Sequence, residues 1–342
     1  MKKLLFPALL MSLLIASCDV VEFKNLGAGS GKTVQWGEVS FALAGSGPVT
    51  RATSPAEESA VNRLQVLVFN STDNLVAYGD ATSGTLSVTV PLGIGGHKVF
   101  AVTNVSEDLS SCSSPSALTS KMSYLKDNSA AGLQMIGSVD NQTFVSGSTV
   151  NVEVRRFASK VEIDEIVTAF TAAAYKTQKF DVTGIYLINV NGSCPYSQVA
   201  AAGTWYNKME YESGECNALI ADKFSSPVTI QTATGQVTPY TRKHYFYCYA
   251  NPTTTDTHGG SWSPRRTRLV VETKLGSRVY YYPIDIVGTG NVLDLNNSYT
   301  VTKLTITGPG VDHPDDLLDN GTVSFTVTVK DWTTGFSKTV TY

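Results

Sequence analysis

The sequence predicts a mainly β protein built from β-sandwich domains. Short runs in which apolar and polar residues alternate recur along most of the 342 residues, separated by glycine, proline and asparagine. Such alternation is typical of strands with one buried face, and many short strands with turns between them indicate sandwiches. The chain is about two domains long. We place their boundary near residues 156–160, where one run ends and the next begins.

The individual strands follow from the alternation. The first run after residue 60 places Leu64, Val66 and Val68 on one face, and Leu67 and Phe69 on the other. Turn signals such as Gly95-Gly96 separate the runs that follow. Further strands are predicted at residues 86–90, 99–101, 149–157, 160–167, 182–190, 244–250, 268–275, 278–286, 299–307 and 322–330.

One helix is predicted over residues 114–126. Ser114 is a favourable N-cap residue, and Pro115 stands at the first helical position, where its missing N–H costs nothing. The apolar residues spaced for one helix face are Leu118, Met122 and Leu125.

Residues 1–17 have the three parts of a secretory signal peptide. Lys2 and Lys3 form a basic start, a mostly apolar run follows from residue 4 to residue 16, and small residues come next. The run is too short to span a bilayer. Its end, LIASC, resembles a bacterial lipobox, in which Cys18 is lipidated and becomes the first residue after cleavage. The alternative is an ordinary signal peptide with a chance cysteine.

The stretch LGAGSGKT at residues 26–33 resembles a phosphate-binding loop, but it lacks the first glycine and the following helix of that motif. That motif needs a glycine where Leu26 stands, and a helix N-terminus must follow it. Here Val39, Phe41 and Leu43 alternate with Glu38, Ser40 and Ala42, which predicts a strand. We therefore interpret residues 19–33 as a Gly/Ser linker and do not expect nucleotide binding.

The remaining polar residues indicate no catalytic or metal site. The formal net charge of −3 gives no reason to expect nucleic acid as a partner, and the four histidines lack the spacing of metal ligands. The basic cluster at residues 265–268 and the pairs Glu57-Glu58 and Asp315-Asp316 are interpreted as solvated loop charges. No enzyme, cofactor or metal is predicted, although a glycosidase assembled from distant carboxylates stays open.

Four cysteines follow Cys18, namely Cys112, Cys194, Cys216 and Cys248. They permit three pairings, and the sequence does not choose among them. One expectation is a Cys194–Cys216 disulfide, because both residues lie in turn-like, glycine-rich surroundings. The other is four unpaired thiols.

Several segments together resemble a known family. VTRATSPAEESAVNRLQVLVFN, VPLGIGGHKVFAVTN, VEVRRFASKVEI, YFYCYANP, LVVETKLGSRVYYYPIDI, NNSYTVTKLTITGPG and GTVSFTVTVKDW occur in this order along residues 48–342. They resemble the Bacteroidales fimbrillins, the subunits of type V pili, and the lipobox agrees with that family. The resemblance implies two tandem transthyretin-like Greek-key β-sandwich domains with short helices in loops.

The resemblance also implies proteolytic processing. In the family, an Arg-specific surface protease cuts the lipoprotein precursor after the arginine that matches Arg51, so that the mature subunit begins at Ala52. Residues 18–51 are then a propeptide with a linker and a self-complementing strand, and the domains are residues 52–157 and 158–342. Loss of the propeptide opens a groove that a strand of a neighbouring subunit fills. The inward residues of the propeptide strand are Val39, Phe41 and Leu43.

Two runs near the C-terminus are candidates for the donated strand. Residues 323–329 form the more hydrophobic run, and residues 336–342 form the more terminal one. The donor residues expected from these runs are Val323, Phe325, Val327, Val329, Phe336 and Val340. The sequence leaves open which run is donated, and the first run is also consistent with an ordinary core strand.

The expected partners are other copies of this chain, accessory pilus subunits, the Arg-specific protease, and the outer membrane through the lipid of the precursor. The mature protein is expected in a surface fimbrium that mediates adhesion. The alternative is a non-polymerising anchor, a tip adhesin or a surface glycan-binding lipoprotein that keeps Cys18. The aromatic residues in loop-like contexts that support this alternative are Trp205, Tyr206, Tyr211 and Trp262. A secreted hydrolase is the third hypothesis.

Overall fold

The computed structural model describes residues 34–44, 58, 60–82, 84–201, 203–255, 261–319, 321–331 and 337–341. Within these ranges no helix has the length and apolar character needed to cross a membrane. The predicted signal peptide, Cys18, Arg51 and Ala52 lie outside the described residues.

The first part of the chain forms two sheets that face each other. Their strand orders are β4-β1-β8 and β3-β2-β5-β7-β9. The strands of this part are β1 (Trp36–Ala44), β2 (Leu64–Phe69), β3 (Leu75–Ala81), β4 (Thr85–Pro91), β5 (His97–Thr103), β6 (Met122–Tyr124), β7 (Met135–Gln142), β8 (Thr149–Glu153) and β9 (Arg155–Arg156). Of these, β6 belongs to neither sheet. Between the two sheets lies a core that contains Phe41, Val66, Val88, Val99 and Val152. This is the packing of a β-sandwich.

Strand β2 buries both of its faces, which explains its nearly continuous apolar sequence LQVLVF. Val66 and Val68 pack into the core between the two sheets. Leu67 and Phe69 point the other way, into a second and larger core. The five-stranded sheet therefore lies between two apolar layers.

The second part of the chain contributes most of that larger core. Its strands are β10 (Ala158–Ile163), β11 (Ile166–Thr168), β12 (Phe180–Ile188), β13 (Val190–Asn191), β14 (Ser193–Pro195), β15 (Trp205–Tyr206), β16 (Ala221–Gln231), β17 (His244–Tyr249), β18 (Arg268–Leu275), β19 (Arg278–Asp285), β20 (Asn297–Ile306), β21 (Val323–Asp331) and β22 (Ser337–Thr341). One sheet has the order β17-β10-β20-β21-β22, with β11 also paired to β20, and another has the order β16-β12-β18-β19. Two short ladders join β13 to β15 and β14 to β6.

The two parts are held together by shared contacts. β6 of the first part pairs with β14 of the second, and the hydroxyl groups of Ser123 and Tyr249 lie 2.6 Å apart. Strand β9 ends at Arg156 and β10 begins at Ala158, so a strand break lies at the predicted boundary. The larger core runs across this break. The division into residues 52–157 and 158–342 stays a prediction.

The predicted helix over residues 114–126 is right in its start and wrong in its length. Helix α1 (Pro115–Thr119) begins as expected, and the Ser114 hydroxyl accepts a hydrogen bond from the Ala117 N–H at 3.1 Å. The chain then enters β6, because pairing with β14 uses the backbone groups that a longer helix would need. The other helices are α2 (Ala173–Lys176), α3 (Asn217–Ile220) and the 3₁₀ turns Leu125–Asp127 and Thr289–Asn291.

The cysteine prediction is corrected by the structure. Cys112, Cys194, Cys216 and Cys248 are all free thiols, so the expected Cys194–Cys216 disulfide is wrong. Cys194 lies in β14 and is buried, and burial raises its thiol pKa to about 12. Cys216 instead precedes α3 in a left-handed conformation, and its side chain forms a hydrogen bond with that of Tyr206.

The mainly β fold class is confirmed, with few and short helices and several sheets. Each predicted run corresponds to one or more observed strands; for example, the run at 160–167 falls in β10 and β11. The finer expectation of two transthyretin-like Greek-key domains stays a prediction.

Candidate functional site

Strand β1 is the central strand of the three-stranded sheet. It pairs antiparallel with β4 from Trp36–Pro91 to Ala42–Thr85, and parallel with β8 from Ser40–Thr149 to Ala44–Glu153. In the described part of the chain, β4 and β8 have no other ladder partner. The sheet therefore exists only because β1 joins its two outer strands.

The inward face of β1 closes the first core. Val39 and Phe41 are each 1% exposed, and Leu43 is half-buried against the same core. The Phe41 and Phe144 rings meet edge to face, with their centroids 6.0 Å apart. Burying two such side chains contributes about 3–6 kcal/mol. The structure thus places the predicted propeptide residues on one buried face.

The start of β1 approaches the rest of the sandwich closely. A Cβ atom added at Gly37 would lie 2.7 Å from Leu92 Cδ1 and 3.2 Å from Ser146 Oγ. A larger residue there requires Leu92 to move, so this position favours glycine.

After β1, the next described position is Glu58, which is anchored at the junction of the two parts. The Tyr247 hydroxyl donates to a Glu58 carboxylate oxygen at 2.7 Å, and Lys160 Nζ lies 3.3 Å from both oxygens. The Arg156 guanidinium also donates to the Glu58 carbonyl oxygen, at 3.3 and 3.4 Å. Arg51 and Ala52 therefore belong to a segment that is bounded by β1 on one side and by this anchor on the other.

The interpretation of Glu58 and Asp315 as solvated loop charges is wrong, because only 8% and 3% of these residues are exposed. The same correction applies to Arg265 and Arg268, which are 0% and 1% exposed. Arg265 pairs with the Asp315 carboxylate, and Arg268 Nη1 donates to it at 2.9 Å. Buried charges persist only when they are paired in this way. Sequence spacing carries no signal for such pairs, since their members come from distant strands and loops.

The two predicted donor runs are neighbouring strands in the second part. β21 lies between β20 and β22, and β22 pairs with β21 alone in the described part. Of the predicted donor residues, Val327 is fully buried, and Val323, Phe325 and Val329 are half-buried against the larger core. Val340 stands opposite Val327 in the ladder. Phe336 lies outside the described residues.

Tyr240, His244 and Asp222 form a hydrogen-bonded group in the second part of the chain, away from β1. His244 is buried, its Nδ1 lies 3.0 Å from an Asp222 oxygen, and the Tyr240 hydroxyl donates to its Nε2 at 2.7 Å. Desolvation by burial is the largest effect on His244 and lowers its pKa. Among the described residues, no group of three or more His, Cys, Asp or Glu side chains could hold a metal ion.

The aromatic residues that the sequence analysis places in loops form two separate ring pairs rather than one cluster. The Trp205 and Trp262 rings meet with centroids 5.4 Å apart, and Lys208 Nζ lies 5.9 Å from the Trp262 ring. Both tryptophans are half-buried. Tyr211 packs elsewhere, 5.2 Å from the Tyr186 ring.

Comparisons with known proteins show what this chain resembles. Residues 38–184 match the family model of the major fimbrial subunit protein (FimA). No curated protein matches the chain. The matched region contains β4, β8 and all of β1 except its first two residues, Trp36 and Gly37.

Solved structures share the fold over nearly the whole chain. A candidate cell adhesion protein from Bacteroides eggerthii is 16% identical, with a TM-score of 0.65 over 89% of this chain and 98% of that one. A fimbrilin (FimA) from Porphyromonas gingivalis is 14% identical, with a TM-score of 0.59 over 88% and 98%. The tip fimbrial protein Mfa3 from the same species, with a C-terminal truncation, is 16% identical, with a TM-score of 0.53 over 87% and 100%. The predicted resemblance is therefore confirmed: residues 38–184 carry the sequence pattern of the FimA major fimbrial subunit family, and the chain has the fold of the Bacteroidales fimbrilins.

Proposed function

We propose that this chain is the structural subunit of a surface fimbria that polymerises by strand exchange and mediates adhesion. The precursor is exported as a lipoprotein with the lipid on Cys18, and an Arg-specific protease cuts it after Arg51. The mature subunit begins at Ala52 and has lost β1. A strand from another copy then occupies the vacated position between β4 and β8.

The position of β1 is the observation that carries this proposal. β1 precedes Arg51 in the sequence, yet it is the strand that joins β4 to β8. A cut after Arg51 frees it from covalent attachment to the rest of the chain. Its departure exposes the apolar side chains beneath it and leaves two strands without a ladder partner. Exposed apolar surface beside unpaired strand edges binds an incoming strand readily.

The free energy of strand insertion favours a stable contact between subunits. An incoming strand that buries three apolar side chains, at the positions of Val39, Phe41 and Leu43, gains about 4.5–9 kcal/mol before the cost of ordering is subtracted. Hydrogen bonds along two edges add about 0.5–1.5 kcal/mol each. While β1 stays covalently attached, it occupies the groove at a high effective concentration, so the precursor stays monomeric.

The proposal is tested by Arg51→Ala in the native host. We expect wild-type protein sheared from the cell surface to begin at Ala52 and to run in electrophoresis as a ladder that collapses on boiling. Arg51→Ala should yield a lipidated monomer that begins at Cys18. Arg242→Ala is the matched control, since the Arg242 side chain is 72% exposed and lies in the second part of the chain. Abundant ladders from Arg51→Ala refute the proposal.

A second candidate is a non-polymerising anchor, a tip adhesin or a surface glycan-binding lipoprotein that keeps Cys18. The Trp205–Trp262 pair with Lys208 is the observation that favours it, because paired half-exposed aromatic rings suit stacking against sugar rings. Wild-type protein recovered from the surface as a lipidated monomer, together with glycan-array binding that Trp262→Ala abolishes, supports this candidate.

A further inference from the structure

One end of the β4-β1-β8 sheet carries four exposed apolar side chains. Val34 and Trp36 lie at the start of β1, Ile94 follows β4, and Val145 precedes β8. The exposed fractions are 44% for Val34, 50% for Trp36, 43% for Ile94 and 65% for Val145. We call these four residues the end patch.

Backbone hydrogen bonds hold the three segments of the end patch together. The Leu92 N–H donates to the Gln35 carbonyl oxygen at 2.7 Å, which joins the first segment to the second. The Gly93 N–H donates to the Phe144 carbonyl oxygen at 3.0 Å, which joins the second segment to the third. The patch is therefore a fixed feature of the folded sheet.

The segments that form the end patch contain no charged residue. Residues 34–37 read VQWG, residues 91–96 read PLGIGG and residues 143–148 read TFVSGS. In the whole chain, 16% of the residues are charged, so an uncharged surface built from three segments is unusual for this protein. Exposed apolar surface of this kind is typical of sites that contact a membrane or another protein.

We propose that the end patch docks on the lipid surface that holds the acylated Cys18. The inference rests on the proposed function, which places the lipid on Cys18, and adds a second contact between the precursor and the membrane. Fifteen residues separate Cys18 from Val34, and they can span at most about 55 Å. No other described part of the chain is as near to Cys18 in sequence.

The side chains of the end patch suit a lipid surface. Tryptophan is favoured at the boundary between water and lipid, because its ring is apolar and its N–H still finds a polar partner. Ile94 and Val145 add aliphatic surface beside Trp36. A single acyl chain binds a membrane only weakly, and stable attachment combines it with a second contact. The end patch supplies such a contact without basic residues, so its binding should not depend on lipid charge.

The proposed cut after Arg51 divides the end patch. Val34 and Trp36 leave together with Cys18, whereas Ile94 and Val145 stay with the mature subunit. The mature subunit therefore loses its lipid and the tryptophan of its docking surface in one step. This loss favours its transfer from the membrane to a filament.

Co-sedimentation with phosphatidylcholine vesicles tests the end patch in the absence of the lipid anchor. The protein is the precursor from residue 18 to residue 342 with Cys18→Ser. We expect equal binding in about 0.1 M and about 1 M NaCl, although the Debye length falls from about 10 Å to about 3 Å. Trp36→Ser and Val145→Ser should each lower the partition coefficient about fivefold or more. Val199→Ser is the matched control, since Val199 is also 65% exposed but lies in the second part of the chain.

Fluorescence quenching by brominated phosphatidylcholine locates the contact. The parent precursor should lose fluorescence when these vesicles are added. Trp36→Phe keeps an apolar ring, so it should still sediment with vesicles, but it should lose most of the quenching. Quenching that persists in Trp36→Phe places the contact at another tryptophan and overturns the proposal.

The other outcomes separate this inference from the proposed function. Vesicle binding that is absent, or that Trp36→Ser and Val145→Ser leave unchanged, overturns the docking surface. Strand exchange stands in that case if the surface protein still begins at Ala52 and runs as a heat-sensitive ladder. Sedimentation without vesicles that the same two variants abolish identifies a second copy as the occupant, and also overturns the inference. A surface protein that keeps Cys18 and forms no ladder overturns the proposed function instead.

Discussion

Replacement of Phe41 by alanine should destabilise the precursor strongly. The ring is 1% exposed and rests on Phe144 in the first core. Removal of a buried phenylalanine side chain costs about 3–5 kcal/mol, because apolar burial is lost and a cavity stays behind. Urea unfolding of a Cys18→Ser precursor, followed by circular dichroism, measures the loss as a lower midpoint at unchanged slope. Phe325→Ala should cost less, about 1–2 kcal/mol, because that ring is half-buried.

The matched control is Ser40→Ala, which changes the outward face of the same strand and should cost less than about 0.5 kcal/mol. Processing gives a second and sharper test. If Arg51 is the processing site, as proposed, filaments that assemble from the Phe41→Ala precursor should resist heat as wild-type filaments do, because that cut would remove residue 41. A loss below about 1 kcal/mol in the precursor contradicts the burial argument, and weakened filaments contradict the removal of β1.

Three further changes test the polar interior. Glu58→Gln should lower the free energy of unfolding by about 1.5–3 kcal/mol, since hydrogen bonds to a carboxylate are lost, and urea midpoints measure this. Burial lowers the pKa of His244, so the unfolded state takes up its proton first as the pH falls below about 6.5, and stability should decrease from there down to the folded-state pKa. His244→Gln should flatten that part of the stability–pH curve, and an unchanged slope speaks against this role. Asp315→Asn should cost about 3–5 kcal/mol because it breaks a buried pair with Arg268, whereas the exposed neighbour Asp316→Asn should change little, and equal effects would contradict the burial assignment.

The strands were predictable because their signal is local. In β4, β8 and β20 the alternation of apolar and polar residues follows directly from one buried face, and the turn residues between strands mark their ends. α1 shows the limit of local reasoning. Its start follows from Ser114 and Pro115, but its end is set by the pairing of β6 with β14, a partner that lies some seventy residues away.

The buried charges were not predictable for a related reason. Glu58 and Asp315 stand in polar stretches that look solvated, and only the assembled structure brings Lys160 to the first and Arg268 to the second. The sequence around a charged residue looks the same whether the side chain is solvated or is buried against a distant partner of opposite charge. Burial of charge is therefore decided by contacts between segments far apart in the chain.

The sequence by itself determined that the chain is mainly β, that an amphipathic strand precedes Arg51, and that residues 323–329 and 336–342 are two further amphipathic runs. Each of these depends on the chemistry of neighbouring residues. The tertiary structure alone decided that Val39 and Phe41 close the first core, and that β1 is the partner shared by β4 and β8. It also decided that position 37 lies too close to Leu92 for a side chain to enter freely. Strand pairing and close packing arise between segments that are distant in sequence, and a local pattern does not identify the segment with which a strand pairs.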